Sequence, residues 1–184
     1  FTISQPMQRR VYRELRGLPN LIDVEEYKPM ARRGLGRPVI VYAPTNALKL
    51  GQLGSKGIDI VRPLLDKFKD RALVDIFTTL PYIQNLRRKA HADIVIDDVV
   101  GETFHRTALE GATLGCAVVT SDDTSGFIYA TIETLERQLE RLLSDDEWLA
   151  QSKQKSRGWI TAHWHPRNLV NEYVDVYKRA VSGR

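Results

Sequence analysis

The sequence predicts an α/β fold, a Rossmann-like parallel sheet with helices on both faces, and two observations carry that expectation. From residue 38 onward, short apolar runs alternate with amphipathic stretches. Among them, "ADIVID" lacks polar alternation at Ile94 and Val95, as a strand covered on both faces should. Strand, helix, strand, helix in this rhythm builds a parallel sheet wrapped by its crossover helices. At 184 residues the chain suits one well-buried domain better than two.

The elements follow in order. "PVIVYAP" (38–44) reads as a buried strand stopped by Pro44. "SKGIDIVRPLLDKF" (55–68) sets Ile58, Val61, Leu64, Leu65 and Phe68 at helical spacing, with Ser55 as N-cap and with Pro63 calling for a kink or a late start. "ALVDIFTT" is the second strand, and "LPYIQNLRRKAH" the next helix, with Pro81 in its first turn. "ADIVID" is the third strand. A helix over 104–114, ended by Gly115, leads into a fourth strand over 116–120. "TIETLERQLERLLSDDEW" lines up Leu135, Leu139, Leu142 and Leu143 on one face, and a last helix over 166–180 does the same with Leu169, Tyr173 and Val176. Residues 1–37 stand outside this rhythm. They are polar, turn-rich and basic, and read as a connecting segment, the tail of an N-terminal domain that is missing here. A start at Phe1 rather than Met fits a fragment.

Composition narrows the function. With 42% apolar and 27% charged residues the chain is ordinary for a globular protein. No run reaches the roughly 18 apolar residues of a membrane helix. Cys116 is the only cysteine and lies in an apolar run, which removes disulfides and cysteine metal sites. The net charge of +4 suits an anionic ligand, but the basic residues are scattered, with no Lys/Arg block interleaved with aromatics, so nucleic acid is not the expected partner.

Ligands of open parallel sheets bind at the carboxyl ends of the strands. Three loops belong there. "APTNALKLGQLGSKG" carries glycines with Lys49 and Lys56, but lacks the P-loop spacing. "TTLPY" brings Tyr82. "DDVVGETFHRTALE" brings two glutamates eight positions apart, Glu102 on the loop and Glu110 on the helix. A glutamate at a helix start answers the helix dipole, and a mid-helix glutamate usually faces solvent. Glu110, however, is surrounded by Ala108, Leu109, Ala112 and Leu114, a setting in which a carboxylate wants hydrogen-bonding partners such as sugar hydroxyls. His105 reads equally well as a helix-start histidine and as a ligand contact.

"GETFHRTALEGATLGCAVVTS" resembles the E-x7-E segment of retaining glycosyltransferases with the GT-B fold. "LPNLIDVEEYKP" is similar to that family's linker into its C-terminal domain, "SKGIDIVRPLL" to the helix start after its first strand, "AHADIVID" to the strand before the motif, and the segment from Ser156 to Ala180 to its terminal helix. The resemblance implies a nucleotide-sugar donor-binding domain over 38–184, preceded by linker. It implies that Glu102 faces the transferred sugar as the catalytic residue and that Glu110 holds the ribose hydroxyls. Lys56 (or Lys49) and Asn46 would meet the diphosphate with the amides of Phe104, His105, Arg106 and Thr107. The implied ligand is a UDP- or GDP-sugar, used as substrate, without metal or other cofactor. The implied function is transfer of its sugar to an acceptor with retention, in the cytoplasm, with any peripheral membrane contact made by the missing N-terminal domain. A fragment without that acceptor domain is expected to be inactive. The alternatives are a non-catalytic nucleotide-binding module of the same fold, or an epimerase or phosphorylase of the GT-B type. The sequence departs from the family's pattern between the glutamates, where Thr103, His105, Arg106 and Thr107 replace glycines and a proline.

Overall fold

The computed structural model describes residues 2–3, 17–30, 36–44, 56–123 and 125–182. Two short strands, β1 (Thr2–Ile3) and β2 (Gly17–Leu18), pair in parallel. The chain then forms β3 (Val39–Tyr42), α1 (Ile58–Asp66), β4 (Leu73–Ile76), α2 (Tyr82–Ala90), β5 (Ile94–Ile96) and α3 (Arg106–Thr113). It continues with β6 (Ala117–Thr120), β7 (Ile128–Tyr129), α4 (Ile132–Ser144), α5 (Asp146–Trp164) and α6 (Pro166–Ser182). Strands β3 to β7 make one five-stranded sheet in the order β4-β3-β5-β6-β7, with every neighbouring pair parallel.

The two-residue period of a strand sends successive side chains to opposite faces, and both faces are covered. Ile40, Tyr42, Ile94, Ile96 and Val119 pack against Val61 and Leu65 of α1 and Leu135, Leu139 and Leu142 of α4. Val39, Val41, Val95 and Cys116 face Leu86 and Ala90 of α2. Val118 meets Ala108, Leu109 and Ala112 of α3 and Ile160 of α5. The absence of polar alternation in these runs is thus the imprint of two cores.

Several boundaries differ from the sequence expectation. Ser55 lies outside the described residues, and Gly57, at φ 72, takes the N-cap of α1. Pro63 lies inside α1, which runs on to Asp66. Asp59, whose carbonyl loses its donor there, and Pro63 are both exposed, so water can serve that carbonyl. Helix α3 starts at Arg106 rather than 104, because Phe104 is drawn into an aromatic cluster and His105 is extended. Strand β7 was not expected at all. The leucine stretch after it is broken at Asp145, whose carboxylate accepts the Trp148 amide at 2.8 Å and caps α5. The last helix begins at Pro166 as expected and runs to Ser182, with the separate helix α5 before it ending at Trp164.

Residues 18–29, expected as connecting chain, pack into the body. Ile22 and Val24 are buried in the α3/α5 core. Arg157 of α5 donates to the Val24 carbonyl at 2.8 Å and to that of Thr113 at 2.7 Å, while Trp164 donates to Asn20 at 2.6 Å. Among the described residues no helix is long and apolar enough to cross a membrane.

Candidate functional site

From β3 the chain moves to β4 on one side of the sheet, then returns across β3 to β5 on the other. That reversal opens a crevice at the carboxyl ends of β3 and β5, where open α/β sheets receive ligands. Among the described residues only three besides glycine have positive φ: Lys56 at 51°, Thr79 at 53° and Glu102 at 50°. They occupy the loops after β3, β4 and β5, all on this edge. Left-handed backbone at such residues costs about 1–3 kcal/mol each and persists where surrounding structure imposes it, often at functional sites.

The floor of the crevice is built around Asp97, the first residue after β5. It is wholly buried. One carboxylate oxygen takes the ammonium of Lys56 and the other accepts the His105 amide. Burial alone would raise this carboxyl's pKa, but the Lys56 charge, with help from His105, holds it well below the usual carboxylate range. The Tyr42 hydroxyl, at the end of β3, donates to the Lys56 carbonyl at 2.7 Å and fixes the turn that aims the lysine inward. Asp98 accepts the amides of Val100 and Gly101, both at 2.8 Å, and so shapes the turn that presents Glu102 to solvent.

Helix α3 begins beside this floor. Gly111 lets it lie against β5, because a Cβ there would meet that of Val95 at 2.9 Å. No side chain caps its first turn. The His105 amide is spent on Asp97, and among the described residues the amides of Arg106 and Thr107 have no partner, the helix's own open donors. Among the described residues the buried His105 Nδ1 has no hydrogen-bond partner; it lies 3.6 Å from Asp98 and 3.7 Å from Asp97.

On the flank of α3 stands a second charged group. Glu110, only 4% exposed, receives the ammonium of Lys89 at 2.5 Å on one oxygen and the Arg106 guanidinium at 3.1 Å on the other. Lys89, in the last turn of α2, is 1% exposed, and burial pulls its pKa below the ordinary value against the attraction of Glu110. Arg106 also donates to the Tyr82 hydroxyl at 3.0 Å and lies over its ring. Beyond Arg106 opens a cleft of about 310 Å³ walled by Tyr27, Tyr82, Ile22 and Pro166. The Tyr27 phenol is pushed up to about 12 by its hydrogen bond with Tyr82 and by burial.

No family model and no curated protein matches this sequence. Solved structures do match the fold. Sucrose-phosphate synthase from Thermosynechococcus elongatus superposes with a TM-score of 0.66 at 11% identity, over 100% of this chain and 58% of that one. TarM of S. aureus, in a complex that contains UDP, gives 0.70 at 10% identity over 96% of this chain and 43% of its own. HepE of Anabaena, in complex with UDP, gives 0.61 at 14% identity over 89% and 57%. The fold is the C-terminal half of a GT-B fold. This chain therefore spans roughly half the length of the structures it resembles.

Within this GT-B half the expected site residues divide. Lys56, His105, Arg106, Thr107 and Glu102 gather around the crevice, and Glu110 stands behind Arg106. The Phe104 ring is turned away, edge-on to Phe127, Trp159 and Trp164 at 5.7, 5.8 and 5.5 Å, so Phe104 has only backbone to offer a ligand. Asn46 and Lys49 lie outside the described residues. Sequence reasoning missed Asp97, Asp98 and Lys89. The aspartates carried a readable signal, two acids closing an apolar strand; Lys89 carried a weaker one, its i+3 spacing from Leu86 beside Ala90, masked because "RRK" at a helix end reads as solvated charge.

Proposed function

We propose that this chain is the donor-binding half of a glycosyltransferase, taking a nucleoside-diphosphate sugar into the crevice and passing the sugar to an acceptor with retention of configuration. The single observation that carries the reading is the uncapped start of α3 at the sheet's switch point, flanked by loops whose non-glycine residues are held at positive φ. An anion is the natural occupant of such a helix start. Structures of the same fold that contain UDP support a nucleotide ligand.

In this reading the diphosphate meets the amides of Arg106 and Thr107. Lys56 is nearly neutralised by Asp97, so it contributes less than an open lysine would, and the half-exposed Arg106 becomes the main mobile cation. Charge that develops on the departing diphosphate is stabilised by donors already in position. Glu102, exposed at the tip of its turn, faces the transferred sugar. Glu110 takes the ribose hydroxyls once Arg106 moves toward the phosphates.

Calorimetric titration of the chain with UDP, GDP and ADP, repeated on Glu110→Ala, tests this. Selective binding of one nucleotide, weakened in the variant, is the expected result. Unchanged affinity in Glu110→Ala removes the ribose role. A second reading, a non-catalytic nucleotide-binding module, is favoured by one observation: Lys56 and Lys89 are both committed to buried carboxylates. Nucleotide binding by the full-length protein without sugar transfer, in the wild type as in Glu102→Ala, would decide for it.

A further inference from the structure

We propose that Lys89 is a positioning residue for Glu110, setting its carboxylate to receive the vicinal diol of a ribose; this rests on the nucleotide reading above. Arg87 and Arg88 of the same helix turn are exposed or partly so, whereas Lys89 is buried to 1% and directs its ammonium onto one carboxylate oxygen at 2.5 Å. Burying a lysine is costly and calls for a partner that holds it in good geometry. Its Nζ contact here is Glu110, on the neighbouring helix, 21 positions away.

The geometry also counts acceptors. An ionised carboxylate offers about four lone-pair sites. Lys89 takes one on Oε2 and Arg106 takes one on Oε1. What remains is one site on each oxygen, with a second on Oε1 once Arg106 moves toward the phosphates, enough for two adjacent hydroxyls. A carboxylate held by Lys89 with a vacancy on each oxygen matches a cis-diol better than a single hydroxyl. Lys89 supplies the fixing, because Arg106 is half exposed and shared with Tyr82.

The experiment compares each nucleoside diphosphate with its 2′-deoxy counterpart, by calorimetry, on the wild type, Lys89→Met, Glu110→Gln and the double variant. The wild type should favour the ribose form by at least about tenfold, the worth of a hydrogen bond to a charged group. Lys89→Met and Glu110→Gln should each lose that preference, weakening the ribose form more than the 2′-deoxy form, which keeps only its 3′-hydroxyl, and the double variant should lose no more than either single one. A folded Lys89→Met that keeps the preference while Glu110→Gln loses it overturns the role of Lys89 alone. A wild type without preference, or a Glu110→Gln that retains it, overturns the ribose reading and this inference with it. If Lys89→Met does not fold, the wild-type Lys89 ammonium resonance serves instead. It should shift more on binding the ribose form than the deoxy form; an equal response to both overturns the proposal.

Discussion

Lys56 and Lys89 are both almost wholly buried, each against one carboxylate, yet the two pairs are built to different purposes. Lys56 and Asp97 close the crevice floor. Asp97 is fully buried, and its second oxygen is occupied by a backbone amide, the His105 N–H, which cannot leave without unwinding the start of α3. Lys89 and Glu110 join two helices from the side. The second oxygen of Glu110 is met by Arg106, a half-exposed side chain that also reaches Tyr82. One carboxylate is therefore sealed by main chain and the other by a movable guanidinium. The contrast teaches that burial by itself does not mark a group as structural; what matters is whether the last partner can move.

The largest effect should follow from breaking the sealed pair. Asp97→Ala leaves the Lys56 ammonium buried without its carboxylate and removes the acceptor of the His105 amide. Removing one partner of a buried ion pair typically costs about 3–5 kcal/mol. Urea unfolding of the variant against the wild type measures it. A loss below about 1 kcal/mol, the range of an exposed pair, would erase the distinction drawn between the two lysines.

The pH dependence separates the pairs more finely. In the folded state the Asp97 carboxyl is held well below its usual range, so the folded protein binds fewer protons than the unfolded chain through the acid region. The stability this contributes is fully present above the unfolded aspartate value of about 3.9 and is lost as pH falls from there through the folded value. Stability measured from pH 6 downward should fall with a steeper acid limb in the wild type than in Asp97→Asn. Equal limbs would mean that Asp97 is not the group that carries the acid sensitivity.

The strand–helix rhythm from residue 38 was legible because β3, β5 and most of β6 are apolar runs, while the edge strand β4 still reads as a strand despite Asp75. What failed were boundaries decided by tertiary contacts. Phe104 looks like a helix residue until Trp159 and Trp164, more than fifty positions later, draw its ring away and shift the start of α3 to Arg106. β7 is two residues long and exists through its pairing with β6. At the site, Glu102 and Glu110 stood out by their spacing. Lys89 was missed although its i+3 spacing from Leu86, beside Ala90, puts it rather than Arg87 or Arg88 on the inward face, because a basic run at a helix end reads as solvated charge.

The smallest expected effect isolates the strain at the crevice rim from its chemistry. Glu102 has φ 50°, a conformation that glycine adopts freely and other residues do not. Glu102→Gly and Glu102→Ala both discard the carboxylate and whatever it touches, so the difference between them reports the backbone alone. Glycine gains by release of the left-handed strain and loses by the greater freedom of its unfolded state, which leaves a net advantage over alanine of about 1 kcal/mol. Urea unfolding of the two variants should show the glycine form as the more stable. If alanine is equally stable, the turn held by Asp98 does not force positive φ on this position, and Glu102 reaches its place by its own contacts. If glycine is the more stable form, the chain keeps a glutamate at a position where glycine would fold better. On the proposed donor-binding reading, a carboxylate kept at such a cost is the one that meets the sugar, and in this respect the rim would differ from the sealed pair beneath it.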